Sequence, residues 1–285
     1  MILIKYHNIK MDRYEVVKDE GIIKGFLKAI GAEEMNKGET FYICTSFRAK
    51  KIDEDKRAKY GKKIRQIFLT KFLKKNDKGE FNYDDSINKL YELEVPKRAL
   101  TYNIGTPDEF CLPQSAMVCY IIPNPSKEFD VSISHMESTL DIIKDFVHSP
   151  NNNDLGNRLC HHNGDFRSER AKFVNKKWID FDIDVEYNQE NAKEVKSIIK
   201  DTMLKTKYLK NIKGILVQSS GGFHTLIKNG CLCGNPHFII NELTNNLKQK
   251  FVLKGEKPIV FTSNGFCPLP GTLQYGSHIV TYEEF

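Results

Sequence analysis

From Ile179 to Tyr187 the chain alternates apolar and acidic residues. Ile179, Phe181, Ile183, Val185 and Tyr187 interleave with Asp180, Asp182, Asp184 and Glu186, and Trp178 precedes them. A period of two, carried by β-branched and aromatic residues, predicts a strand rather than a helix. Side chains on a strand alternate between faces, so the four carboxylates share one face at a spacing of about 7 Å. Like charges this close repel, and burying them without partners is costly. Something positive is therefore expected opposite. Two readings are open. Edge strands carry charges to discourage pairing, so the acidic face could simply be solvated, although the usual edge charge, lysine, stays outside at Lys176 and Lys177. Alternatively, carboxylates spaced i, i+2 on a rigid strand can hold Mg²⁺ or Mn²⁺, hard cations that also take phosphate oxygens.

At 285 residues the chain is long enough to bury a core as one large domain or two small ones. No apolar run approaches the ~20 residues of a membrane span, and the start MILIKYHNIK lacks the features of a signal peptide. Seven cysteines without a disulfide-framework spacing point to a reducing setting. The expected location is cytoplasmic, and the Lys, Asn and Ile content suits an AT-rich genome such as that of a prokaryotic host, a phage or a mobile element. Between Arg48 and Lys75, twelve Lys or Arg face three acids, while the whole chain carries only +6. This cluster reads either as the solvated face of a helix or as a footprint for a phosphate backbone.

Punctuation by Gly, Pro and Asn gives a coarse organisation. Over residues 1–150 we expect an α/β unit. It has a helix near Tyr14 to Ile30, a strand at Thr40 to Thr45, and helical spacing through Ile64, Ile67, Phe68 and Phe72. A strand at Ala116 to Ile122, ended by Pro123, and a helix at Ser134 to Val147 follow, then a loop from His148 to Asn157. Over residues 151–285 the order is strand (the acidic segment), helix (Asn188 to Met203), hairpin (Gly214 to Val217 and Thr225 to Ile227), helix (Asn235 to Phe251), strand (Pro258 to Phe261). The fold class is α+β with an open sheet.

The hairpin VQSSGGFHTLIK, residues 217–228, carries the second candidate cluster. Gly221 and Gly222 can adopt positive φ and admit a ligand close to the backbone. Ser219, Ser220 and His224 suit phosphate oxygens, and Lys228 lies on the same strand face as His224. An ordinary hairpin with a hydrogen-bonded histidine is the competing reading.

Taken in order, WIDFDID, SSGGFH and CPLPGTLQYGSHIV resemble the archaeo-eukaryotic primase superfamily, the catalytic subunits of primases and primase-polymerases, over about residues 170–285. The resemblance implies a primase catalytic core in which the N-terminal α/β unit packs against an RRM-like antiparallel-sheet unit. WIDFDID looks like the first motif, whose acids bind metal. Asp182 with Asp184 matches best, Asp180 with Asp182 is next, and Asp184 with Glu186 also fits. SSGGFH is similar to the second motif, which implies that His224, with Ser219, Ser220 and Lys228, grips nucleotide phosphates. TFYICTSFRAKK is a weaker echo of the N-terminal strand and basic stretch, where Arg48 or Lys50 would hold template or nucleotide. The third motif departs from the pattern: where an Asp is expected, VFTSNGFCPLPGT has none. Thr262 or Ser263 falls near that place, Asn264 could offer an amide oxygen, and Glu256 lies upstream. The resemblance implies two-metal nucleotidyl transfer with Mg²⁺ or Mn²⁺, a single-stranded DNA template, NTP or dNTP, and a separate helicase or primase accessory subunit. The same departure admits a replication protein that binds nucleic acid and polymerises poorly.

Cys231, Cys233 and His237, with Cys160, invite a Zn²⁺ reading, but a Cys-x-Cys pair is tighter than the usual spacing and the other half comes from far along the chain. Reduced cysteines packed in ordinary ways are the alternative. Asp-x-Asp at a strand end also occurs in haloacid dehalogenase phosphatases, whose Thr or Gly after the second acid is missing here. Neither a Walker A sequence nor GxGxxG occurs.

Overall fold

The computed structural model describes residues 12–64, 68–148 and 170–285. The chain enters as an extended segment whose Tyr14, Val16 and Val17 are buried. Backbone bonds from Tyr14 to Val95 and from Leu273 to Val16 hold it extended, so the first helix starts later than the periodicity predicts. Helix α1 (Glu20–Ala29) is capped by the Asp19 carboxylate, which accepts from the Ile22 N–H, and it buries Ile23, Phe26 and Leu27 on one face, the i, i+3, i+4 pattern of a core-facing helix.

Strand β1 (Glu39–Phe47) is followed by helix α2 (Glu54–Ile64) and strand β2 (Phe68–Lys74). Phe68 and Phe72 are thus on a strand, against the helical spacing read from the sequence. β2 pairs with β1 from Phe68↔Ser46 to Lys74↔Thr40, and satisfying β1's edge outweighs local periodicity. Helix α3 (Tyr83–Tyr91) and the short strands β3 (Thr101–Tyr102) and β4 (Phe110–Cys111) lead to β5 (Met117–Lys127). β5 does not stop at Pro123. The register shifts between Thr40↔Ser126 and Tyr42↔Ile122, so a bulge in β5 takes up Pro123 and Pro125, which have no N–H to give the ladder. Helix α4 (Glu128–His148) follows, longer at its N-terminal end than predicted. The loop expected from His148 to Asn157 lies almost wholly outside the described residues.

The remaining chain builds β6 (Trp178–Ile183), α5 (Ala192–Lys205), β7 (Gly214–Gln218), β8 (Phe223–Lys228), α6 (Pro236–Lys248) and β9 (Ile259–Thr262). Four short strands close it: β10 (Cys267–Pro268), β11 (Leu273–Gln274), β12 (His278–Ile279) and β13 (Thr281–Glu284). Two main sheets result, ordered β10-β5-β1-β2 and β13-β7-β8-β6-β9, and every pairing in them is antiparallel. The architecture is α+β. The acidic strand is central, between β8 and β9, so the solvated-edge reading of its alternation is overturned.

The odd face of β6 carries Ile179, Phe181 and Ile183 into a core with Val195, Ile199 and Met203 of α5 and Ile239, Leu243 and Leu247 of α6. The even face turns toward the other half of the molecule. At its start Trp178 joins Ile215, Val217 and Leu226 in a second core shared with α1, β1 and β5, and its indole N–H donates to the Ile30 carbonyl at 3.0 Å. Asn124 of β5 ties the halves further. Its amide donates to the carbonyls of Trp178 and Ser263, both at 2.7 Å, and its oxygen accepts the Trp178 N–H at 2.8 Å.

Candidate functional site

Beyond Trp178 the two halves separate into a cleft of about 460 Å³. Asp180 and Asp182 line it from β6 and Asp184 from the residue after it, Ser46 from the end of β1 and Arg48 from just past it, and His224 from β8. Exposure increases along the strand. Asp180 is 2% exposed, the Asp182 side chain 40%, and Asp184 is exposed.

The positive charge that the acidic face requires comes first from within its own sheet. His224 is opposite Asp182 in the β6–β8 register and is almost fully buried. Its Nδ1–H donates to Asp180, 3.0 Å from Oδ2 and 3.2 Å from Oδ1, and Nε2 is 3.4 Å from Asp182 Oδ1. Burial pulls the imidazole pKa down, but the Asp180 and Asp182 carboxylates and the hydrogen bond to Asp180 outweigh it and push the value up to about 9. At neutral pH the ring is therefore an imidazolium, a buried charge paired on both nitrogens. His224 anchors the carboxylates and also lines the cleft, where its motif implies a contact with nucleotide phosphates.

The second cation is Arg48, exposed at the cleft wall with its guanidinium 6.0 Å from the Tyr120 ring centre. Lys51 extends this rim, its Nζ 4.6 Å from the centre of the Tyr275 ring. Elsewhere the basic cluster is partly neutralised by surface pairs, Lys59 with Asp108 and Lys71 with Glu92.

Two glycines shape the walls. Neither Gly221 nor Gly222 adopts the positive φ expected of them. Gly222 is needed for a different reason, since a β-carbon there would run into the Ile183 carbonyl. This close approach seats the hairpin on the acidic strand. A β-carbon at Gly265 would strike the Thr262 methyl and come within 3.4 Å of Asp180 Oδ2, so its absence keeps the floor of the cleft clear.

Ser219 lines the cleft, but its hydroxyl is spent inside the hairpin, donating to the Gly222 carbonyl at 3.1 Å and accepting the Gly221 N–H at 3.3 Å. Its carbonyl accepts from the Tyr187 hydroxyl. Ser220 bonds through its backbone N–H to Gln274 Oε1 at 2.7 Å, while its own Oγ is buried without a hydrogen-bond partner among the described residues. Lys228 is not in the cleft. The register pairs it with Trp178, at the opposite end of β6 from Asp184, because alternation fixes a face but not a distance along it. Glu186 is exposed, beyond the end of β6, and neither it nor Asn264 lines the cleft. The backbone N–H of Asn264 bonds to Thr262 Oγ1 at 3.1 Å. Thr262 itself is in the cleft and opposite Asp180 in the register. Gln274, Phe266, Tyr120 and Tyr275 also line it; they were not selected individually from the sequence, although the turn containing Gln274 and Tyr275 was. Tyr275 holds φ at +54°, a left-handed conformation unusual for a bulky residue.

Among the described residues the zinc candidates do not form a cluster. The Cys231 thiol donates to the Asn211 carbonyl at 3.1 Å and Cys233 is exposed. His237 sets its ring edge-on to Phe261 at 5.2 Å, and Cys160 lies outside the described residues. Among the described residues no three His, Cys, Asp or Glu side chains converge as a ready-made metal cage. Asp182 and Asp184 nevertheless fit a hard divalent ion as hard oxygen donors spaced i, i+2, with the remaining positions of an octahedral ion left to water and phosphate. Asp180, held by His224, stands behind them. No protein-family model, no curated protein and no solved structure matches the chain, so the site rests on its own geometry.

Proposed function

We propose that the chain is a template-directed nucleotidyltransferase of the DNA primase and primase-polymerase type. The observation that carries this reading is the meeting, in one cleft, of open carboxylates Asp182 and Asp184, a carboxylate-anchored imidazolium and Arg48. The β6-α5-β7-β8-α6-β9 unit has its strands ordered β7-β8-β6-β9, the split β-α-β plan of RRM-like units, with the acids on its central strand. This supports the primase-core reading.

Asp182 and Asp184 would hold Mg²⁺ or Mn²⁺, which when bound supplies charge neutralisation for a triphosphate and activation of an attacking 3′-hydroxyl. The chain's own residues do the rest. Asp180 and His224 fix the acidic face, because a buried imidazolium bonded to Asp180 and close to Asp182 limits rotation of those carboxylates. Arg48, with Lys51 beside it, presents cations to triphosphate or template phosphates. Tyr120, Phe266 and Tyr275 offer ring faces for a base. No side chain acts as a covalent nucleophile in this scheme. Single-stranded DNA, NTP or dNTP, and a separate helicase or accessory subunit are the corresponding partners.

One observation favours a second reading. Thr262, not an acid, sits opposite Asp180, and all the carboxylates lining the cleft come from β6 and the residue that follows it. This composition suits a primase-like protein that binds nucleotide or DNA and polymerises poorly. The test is incubation with single-stranded template, Mn²⁺ or Mg²⁺ and labelled nucleotides, with and without primer, beside the Asp182→Ala/Asp184→Ala variant. Metal-dependent products that vanish in the variant establish the enzyme. Absence of products, with salt-sensitive DNA binding retained by both proteins, establishes the binding protein.

A further inference from the structure

Helix α4 is amphipathic in the wrong sense for a helix lying on a core. Along its 21 residues, Phe129, Ile133, Met136, Leu140, Ile143 and Val147 are 39–76% exposed. The more sheltered positions hold Val131, buried, and then Ser134, His135, Ser138, Thr139 and Ile142, half-buried, so polar residues predominate there. The contrast with α6, which buries Ile239, Leu243 and Leu247, is direct. A continuous exposed apolar patch of this kind marks an interaction surface.

The spacing says what kind. The six exposed residues follow one another at intervals of 4, 3, 4, 3 and 4. A helix lying on a core shows a wide stripe of period 3.6, whereas a strict 3.5 repeat is the narrow seam of two helices wound around each other. At 1.5 Å per residue the seam is about 30 Å long. The segment that follows, 149–169, has only Leu155, Leu159 and Phe166 as large apolar residues and supplies no matching seam.

The geometry points to α4 as a dimerisation helix that pairs, antiparallel, with α4 of a second copy of this chain. A two-fold axis near Ser138 sets Phe129 against Val147 of the second copy, Ile133 against Ile143 and Met136 against Leu140, and each layer recurs on the other side of the axis, as an isologous contact requires. Charge favours the antiparallel sense. Asp130, Glu137 and Lys144 share one flank of the seam, so antiparallel pairing brings Asp130 of each copy to Lys144 of the other, with Glu137 facing its equivalent at the axis. Parallel pairing would set this flank against Ser132 and Thr139 and form no ion pair there.

The proposal is tested by sedimentation equilibrium of the full chain from about 1 to 100 µM, beside Met136→Lys/Leu140→Lys. The expected result is a wild-type dimer whose unfolding midpoint rises with protein concentration, and a monomeric double variant with unchanged far-ultraviolet circular dichroism and a concentration-independent midpoint. A wild type that stays monomeric throughout overturns the proposal. So does a dimer that survives in the variant, or a monomeric wild type whose variant unfolds more readily, which would show the seam covered by its own chain. Orientation is read by oxidative cross-linking, with the wild type controlling for the native cysteines. Glu137→Cys forms the covalent dimer in the antiparallel arrangement, whereas cross-linking through Leu140→Cys and not through Glu137→Cys overturns it.

Discussion

The two ends of strand β6 show how differently one strand face can be used. At one end Trp178 is 5% exposed, packs into the core shared by both halves, and has its indole and backbone hydrogen bonds satisfied by Ile30 and Asn124. At the other end Asp182 and Asp184 open into a cleft. The same even-numbered positions thus form a joint and then one wall of a cleft. The joint holds the acids of one sheet across the cleft from Arg48, which follows β1 of the other. The difference teaches that the site belongs to neither sheet alone.

Breaking the joint should have the largest effect. Trp178→Ala is expected to lower stability by about 3–5 kcal/mol, measured by urea unfolding, and to remove nucleotide binding with the fold. His224→Ala should cost a comparable amount, about 3–5 kcal/mol, because Asp180 would be left buried without its cation. Adding Asp180→Asn should recover part of that loss, and the double-mutant cycle reads the coupling directly. Gly265→Ala should cost about 1–3 kcal/mol through overpacking against Thr262, with relief when Thr262→Ser is added. Arg48→Ala should leave stability unchanged. It should weaken triphosphate or single-stranded DNA binding about tenfold, equivalent to roughly 1.4 kcal/mol, and reduce the slope of log affinity against log salt by about 1. Lys71→Ala, which removes only a surface pair with Glu92, should shift stability by no more than about 0.5 kcal/mol and leave binding intact. If it weakens binding as much as Arg48→Ala does, the cleft would lose its claim to be the distinct locus of basic function.

Much of the second sheet was legible because its signals are local. The period of two in WIDFDID, the helical spacing of Val195, Ile198 and Ile199, and the glycine-rich bend before His224 each report on their own element. The demand of the acidic face for a counter-charge was legible too. What satisfies it was less so, because Asp180 holds His224 through a β6–β8 register that no local pattern encodes. Lys228 was misplaced for the same reason, sharing the face of His224 yet paired with Trp178. In the first half, Phe68 and Phe72 mimic a helical stripe, and only the open edge of β1 makes them a strand. Pro123 reads as a terminator unless the bulge against β1 is known. Tyr120 and Phe266 also line the cleft; Tyr120 sits inside an apolar strand that reads only as core, whereas Thr262 and the turn holding Tyr275 were marked by their place in the motif series.

The central place of β6 also has a consequence for the order in which the chain is made. Its two neighbours, β8 and β9, are both encoded after it, and β9 is separated from β8 by the whole of α6. While the chain is being synthesised from its N-terminus, β6 can pair with β8 and still show a bare edge, the state in which strands recruit the wrong partners. During that interval His224 already holds Asp180, and the open edge carries the carboxylates of Asp182 and Asp184, charges of the kind that disfavour pairing with a foreign strand. The residues that line a cleft in the finished molecule thus also lie where the unfinished sheet is open.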